Sequence, residues 1–155
     1  MAAPSSAQTQ SDREIVVSRI IEGPRSLVFD AFTDLDRLKE WWGPKGSTLE
    51  TRSFEFRPGG VWDATIQNPG GTFPNHVIWK EIVKPERIVW LYGSGEDDPN
   101  AVETIVTLAD HGETTEVTLQ LLFGSKEQRE QAATYNAAAG ARATLDRLAA
   151  AVAAH

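Results

Sequence analysis

The sequence predicts an α+β fold in which a curved antiparallel sheet of about seven strands wraps around a long C-terminal helix. Three observations carry that expectation. In Phe54-Glu55-Phe56-Arg57-Pro58-Gly59-Gly60-Val61-Trp62 the apolar residues stop at Pro-Gly-Gly and resume at once in strand-like alternation, which reads as a tight reversal between two strands. Between Ser47 and Phe123, β-rich runs alternate with turn chemistry at the spacing of an antiparallel meander. Residues 125–152 change to helical periodicity with one apolar stripe.

Taken in order, residues 13–21 carry Ile15, Val17, Ile20 and Ile21 and form a first strand that Gly23-Pro24 ends. Pro24 suits the first position of a helix whose apolar residues are Leu27, Val28, Ala31 and Phe32. Asp34 can cap a second short helix carrying Leu35, Leu38 and Trp41, which Gly43-Pro44 terminates after Trp42. Strands are expected over 48–56, 60–67, 76–83, 88–92, 101–109 and 114–122. Pro58-Gly59-Gly60, Pro69-Gly70-Gly71, Lys84-Pro85-Glu86, Gly93-Ser94-Gly95 and Asp110-His111-Gly112 supply the turns between them. Ser125-Lys126-Glu127-Gln128 has the form of a capping box and opens one continuous helix to residue 152, with Tyr135, Ala138, Ala141, Leu145, Leu148 and Val152 on its buried stripe.

A chain of 155 residues fits one domain, here 13–153, preceded by a small, polar segment over 1–12 that reads as a disordered tail. The tail has neither the basic nor the apolar region of a signal peptide. With no cysteine, disulfides, thiolate nucleophiles and thiolate metal sites are excluded, and a cytoplasmic setting is expected. No apolar run approaches the ~20 residues of a membrane span. A formal charge of −7 argues against nucleic acid as a partner.

Five tryptophans, Trp41, Trp42, Trp62, Trp79 and Trp90, with Tyr92 and Tyr135, are many large rings for this length. They either fill the core or wall a pocket between helix and sheet. Ile88, Trp90 and Tyr92 share one side of their strand, as do Trp62, Ala64 and Ile66, and these are the preferred wall residues. His76 is the histidine best placed for buried chemistry, His111 lying in a turn and His155 at the terminus. Without paired histidines or cysteines no metal site and no cofactor is expected. Asp63, Glu81 and Glu103 sit inside strands, where an inward carboxylate would have a raised pKa and could move protons, although alternation directs most of them outward. Gly93-Ser94-Gly95 is no dinucleotide fingerprint, and Glu96-Asp97-Asp98-Pro99-Asn100 reads as a solvated hairpin tip and not as a calcium loop.

The chain resembles the START-like, helix-grip superfamily, and within it the activator of heat-shock-protein-90 ATPase homologue-like (SRPBCC) family. The resemblance runs over 13–152 and rests on Pro24 with Val28-Phe29-Asp30-Ala31-Phe32-Thr33-Asp34, Trp41-Trp42-Gly43-Pro44, Pro58-Gly59-Gly60-Val61-Trp62, Pro85-Glu86-Arg87-Ile88-Val89-Trp90 and Thr144-Leu145-Asp146-Arg147-Leu148. One departure stands out: where the family usually carries Gly-Trp in the last helix, this chain has Gly140-Ala141, and Gly140 suggests close packing against the sheet or a kink. The resemblance implies a cavity between the last helix and the sheet. The expected site is a ligand pocket built from Trp42, Trp62, Ala64, Ile66, His76, Trp79, Trp90, Tyr92, Tyr135 and Ala141, holding a small apolar or aromatic molecule. Two alternatives stand beside it. One is a cofactor-free cyclase or hydrolase using an inward carboxylate or His76. The other is a module that interacts with a chaperone through its surface; a homodimer is also left open.

Overall fold

The computed structural model describes residues 13–43, 46–95, 98–99, 101–134 and 136–154. Its elements run β1 (Glu14–Glu22), α1 (Arg25–Thr33), α2 (Leu35–Trp41), β2 (Thr48–Phe54), β3 (Val61–Asn68), β4 (Gly71–Val83), β5 (Arg87–Gly93), β6 (Val102–Asp110), β7 (Thr114–Leu122), α3 (Lys126–Thr134) and α4 (Ala137–Ala153). The seven strands form one antiparallel sheet in the order β1-β7-β6-β5-β4-β3-β2. Strands β2 to β7 are therefore a meander, and β1 adds to its far side in an unbroken register from Glu14↔Leu122 to Glu22↔Thr114. This is the α+β, seven-stranded helix-grip arrangement that the sequence predicts.

Alternation sorts the strands. Trp62, Ala64 and Ile66 on β3, Val77 and Trp79 on β4, and Val106 and Leu108 on β6 are buried and share the inner face. That face receives α1 through Val28, Phe29, Ala31 and Phe32, and α4 through Ala141, Leu145, Leu148, Ala151 and Val152. In each helix the buried residues recur at three- and four-residue spacing, so one stripe meets the sheet. Burying such a Leu or Phe side chain contributes about 1.5–3 kcal/mol, which makes the stripe and not intrinsic propensity the main support of these short helices.

Local chemistry sets the boundaries, in places differently from expectation. Pro24 is the N-cap of α1 and not its first helical residue: its φ of −69° and ψ of 155° are extended, while its carbonyl accepts the Leu27 N–H at 3.0 Å. Asp34 caps α2 as expected, its Oδ1 accepting the Asp36 N–H at 3.0 Å. The strand expected over 76–83 begins five residues earlier, at Gly71, because Asn68 and Gly71 close a two-residue hairpin over Pro69-Gly70. Pro74 is tolerated inside β4 because β5 pairs only from His76 onward, leaving residues 71–75 with a neighbour on one side alone.

The continuous helix expected from residue 125 is two helices. Asn136, the N-cap of α4, adopts left-handed φ and ψ of 59° and 47°, which no helix continues through. Asparagine is among the few residues that take this conformation at small cost. α3 buries none of its residues, so only α4 is a core helix. The start of α3 keeps half of the expected capping box: Ser125 Oγ accepts the Gln128 N–H at 3.1 Å, but Gln128 Oε1 reaches one residue further back, to the Gly124 N–H at 2.9 Å. Tyr135, the segment over 1–12, Glu96, Asp97 and Asn100 lie outside the described residues. Among those described, no helix is long and apolar enough to cross a membrane.

The Pro58-Gly59-Gly60 corner is less a tight hairpin than a wide turn that docks on β4. The Gly59 N–H donates to the Trp79 carbonyl at 2.7 Å and the Trp79 N–H donates to the Gly60 carbonyl at 2.9 Å. A Cβ at Gly60 would stand 2.1 Å from the Glu55 carbonyl oxygen, so no side chain fits without moving backbone. Gly140 is the opposite case and corrects the expectation of close packing: nothing lies within 4 Å of a Cβ placed there. Gly60→Ala is expected to lower stability by about 1–3 kcal/mol, the usual scale of overpacking, whereas Gly140→Ala should raise it by roughly 0.5–1 kcal/mol. Denaturant midpoints measured on both variants check the pair of signs.

Candidate functional site

The two halves of α4 face the sheet with different bulk. Its C-terminal half carries Leu145 and Leu148, which are almost fully buried in the core. Its N-terminal half presents Ala137, Gly140, Ala141 and Thr144, which do not reach the strands opposite. A cavity of about 600 Å³ results, bounded by this half of α4, the inner faces of β5 to β7, and Trp42-Gly43 at the end of α2. Val106, Val117 and Leu119 form its floor, and Phe32, Trp90 and Tyr92 one side.

The aromatic side is rigid. The Trp42 ring lies 4.8 Å from that of Trp62, 5.5 Å from that of Trp90 and 6.3 Å from that of Tyr92, all in tilted or edge-on geometries that ring quadrupoles favour. Its indole N–H donates to Asn75 Oδ1 at 2.8 Å, which fixes the ring plane. The Trp41 N–H is tied in the same way to the Ala31 carbonyl at 3.1 Å, and that of Trp62 to Thr51 Oγ1 at 3.1 Å. Burial raises the Tyr92 phenol above its ordinary pKa, so the hydroxyl is protonated at neutral pH and can donate toward the cavity.

Of the pocket residues expected from sequence, Trp42, Ile66, Trp90, Tyr92 and Ala141 line this cavity. Trp62, Ala64 and Trp79 do not; they are fully buried in the packed core beside it, where β3 and β4 approach the aromatic cluster too closely to leave space. His76 is on the wrong face. It falls between the inward residues Asn75 and Val77, so alternation turns it outward, where it pairs in register with Asp63. Hydrogen bonds from Arg52 hold the Asp63 carboxylate below its ordinary pKa, with the charges of Arg52 and His76 acting in the same direction. Glu81 pairs with Arg87, and Glu103 with Lys80 at 3.5 Å, again on exposed side chains. None of the groups expected to supply acid–base chemistry is at the cavity wall.

Sequence reasoning missed Thr104, Thr144 and Arg147. Thr144 and Arg147 follow Gly140 at i+4 and i+7 on α4, so they flank the apolar stripe on the cavity side, a helical spacing that the sequence does contain. The Arg147 Nε–H donates to the Trp41 carbonyl at 3.1 Å, and an Nη2–H donates to Thr144 Oγ1 at 3.2 Å. The Thr144 hydroxyl in turn donates to the Gly140 carbonyl at 3.0 Å. Burial lowers the Arg147 pKa, opposed by the neighbouring Asp146 charge, yet a guanidinium stays charged at neutral pH.

A helix lying in the grip of a curved antiparallel meander, with a cavity under its first half, has counterparts. The family model of the Activator of Hsp90 ATPase homolog 1-like protein matches residues 22–153. The chain belongs to this family. A protein of Arthrobacter aurescens solved by NMR superposes with a TM-score of 0.83 at 19% identity, covering 93% of this chain and 88% of the other. A crystal structure from Nitrosomonas europaea gives 0.81 at 22% identity, with 92% and 95% covered, and one from Rhizobium loti 0.69 at 27% identity, with 89% and 95% covered. Among curated proteins the comparison finds no match. The shared element is the fold, and in this chain Ala141 lines the room beneath the last helix.

Because Ala141 lines that room, Ala141→Trp is expected to place its indole in the cavity and to keep stability within about 1 kcal/mol of the parent, whereas overpacking of a filled core costs roughly 1–3 kcal/mol. A urea midpoint for the variant distinguishes the two, and a clear fall would mean that the space beside Ala141 is already occupied.

Proposed function

We propose that the protein binds a small apolar or aromatic molecule in the cavity between α4 and the sheet. The observation that carries this reading is the cavity itself: about 600 Å³, within the ~300–1,000 Å³ of small-molecule sites, walled almost wholly by aliphatic and aromatic side chains. Trp42, Trp90 and Tyr92 are held by one another and by Asn75, so the wall is formed before a ligand arrives and little ordering cost attaches to binding. Thr104, Thr144, Arg147 and the Tyr92 hydroxyl are the few polar groups that could orient a guest.

The proton-transfer alternative required an inward carboxylate or His76, and Asp63, Glu81, Glu103 and His76 all face outward. The chaperone-partner alternative takes support from the family's description, but a family label carries no interaction without a site. The exposed large apolar residues Ile20, Phe73 and Val83 sit on β1 and on opposite ends of β4, and so form no shared patch.

Titration with the neutral dye N-phenyl-1-naphthylamine, read as energy transfer from tryptophan, is expected to saturate at one molecule per chain. Ala141→Trp should weaken that binding by at least about tenfold, and His76→Ala on the outer face should leave it unchanged. Linear, unsaturable uptake of the dye, or equal affinity in the Ala141→Trp variant, would defeat the reading.

A further inference from the structure

We propose that the cavity selects amphiphiles with a single carboxylate head group, and that Arg147 is the residue that anchors it. This rests on the apolar-ligand reading above and adds the chemistry of the ligand's polar end.

Arg147 is the single charged residue on the cavity wall, and no aspartate or glutamate lines it, among the described residues. In a chain with a net charge of −7 that is a marked local reversal of sign. The guanidinium is held in place on one side only: Nε–H to the Trp41 carbonyl and one Nη2–H to Thr144 Oγ1. Nη1 and the second N–H of Nη2 have no acceptor among the described residues. No carboxylate among the described residues hydrogen-bonds it. The adjacent Asp146 is turned to the other side of α4, where its Oδ1 lies 3.4 Å from Arg19 Nε.

Arg147 is half-buried, so its guanidinium keeps its charge while its spare donors stay within reach of a ligand's polar end. A carboxylate satisfies it best, because the planar fork matches two carboxylate oxygens and charge-assisted hydrogen bonds are about twice as strong as neutral ones. The rest of the wall suits the tail: Trp42, Trp90 and Tyr92 on one side, Val106 and Leu119 below, and the small residues of α4 above. A medium-length fatty acid or an aryl-alkanoic acid has this form, charged at one end and apolar for the remainder.

Arg147 also ties α4 to the C-terminus of α2 through the Trp41 carbonyl, so loss of binding in a variant would not by itself separate anchoring from folding. The ratio of affinities for an acid and its neutral isostere does. Displacement of N-phenyl-1-naphthylamine by decanoate and by decanamide, at a pH well above the acid's pKa, gives that ratio in one protein. The parent is expected to prefer decanoate by at least about tenfold, as net contributions from hydrogen bonds to a charged group imply. Arg147→Met should bring the ratio to about one, both competitors being read against the variant's own dye affinity. Arg147→Lys, which keeps the charge and loses the fork, should fall between them. Equal affinity for acid and amide in the parent, or a ratio unchanged in both variants, overturns the anchor and leaves the apolar site standing. If the dye itself does not bind, the cavity reading fails and this one with it.

Discussion

The constraint on which the structure depends is one of area. A seven-stranded curved sheet offers more concave apolar surface than a single 17-residue helix can cover, and the way α4 distributes its bulk decides where the shortfall lies. Leu145, Leu148 and Val152 reach the sheet and close the C-terminal end, together with the Phe29 and Phe32 side chains of α1. Ala137, Gly140 and Ala141 fall short at the other end. The helix that anchors the fold is thus also the roof of the cavity.

Charge is partitioned by the same sheet. On the outer face, Arg52–Asp63 and Arg87–Glu81 link neighbouring strands and Lys80–Glu103 reaches from β4 across β5 to β6, largely solvated pairs that contribute only about 0–1 kcal/mol each. Their consequence is chiefly topological. A one-residue slip of register would carry these charges into the core, so alternation and ion pairing agree on the outer face for β2 to β6. The inner face keeps uncharged polar groups, and two buried donors, Asn75 Nδ2 and Trp79 Nε1, have no partner among the described residues. Asn75 spends its oxygen on holding Trp42, and the Trp79 ring is packed by Phe56 and Trp90, so both are placed by the rings around them.

Most of the fold was legible because the strands alternate and their turns are punctuated by glycine and proline; the 114–122 strand and the two helices after β1 are where periodicity places them, to within a residue or two. Reading failed where two signals competed. The alanine run after Asn136 has such high helix propensity that 125–152 scans as one helix, yet a single left-handed asparagine divides it. In β4, the strand starts at Gly71, before the expected residue 76, and Pro74 is permissible there because residues 71–75 lack a β5 partner. For the site, Ile66, Trp90 and Tyr92 reach the wall from the sheet, Trp42 from the end of α2 and Ala141 from α4. Trp62 and Trp79 differ from Trp90 in nothing that composition reveals; their depth depends on which strands the PGG corner presses together. Arg147 was overlooked because an arginine beside an apolar stripe ordinarily points to water.

A cavity of this kind persists only if the elements around it cannot move in to fill it. The roof is pinned on three sides. Val152 stands against Gly23, where an added Cβ would lie 3.0 Å from its methyl; Arg147 bonds to the end of α2; and α4 packs along β1. The wall is pinned as well, since rotating Trp42 inward would break its bond to Asn75 and its contacts with four other rings. Collapse would therefore cost buried hydrogen bonds, each worth about 0.5–1.5 kcal/mol, and aromatic pairs worth about as much, to recover contacts with a few alanine methyls. The packed core on one side of Leu145 and the open space on the other follow from a single unequal division of small and large residues along α4.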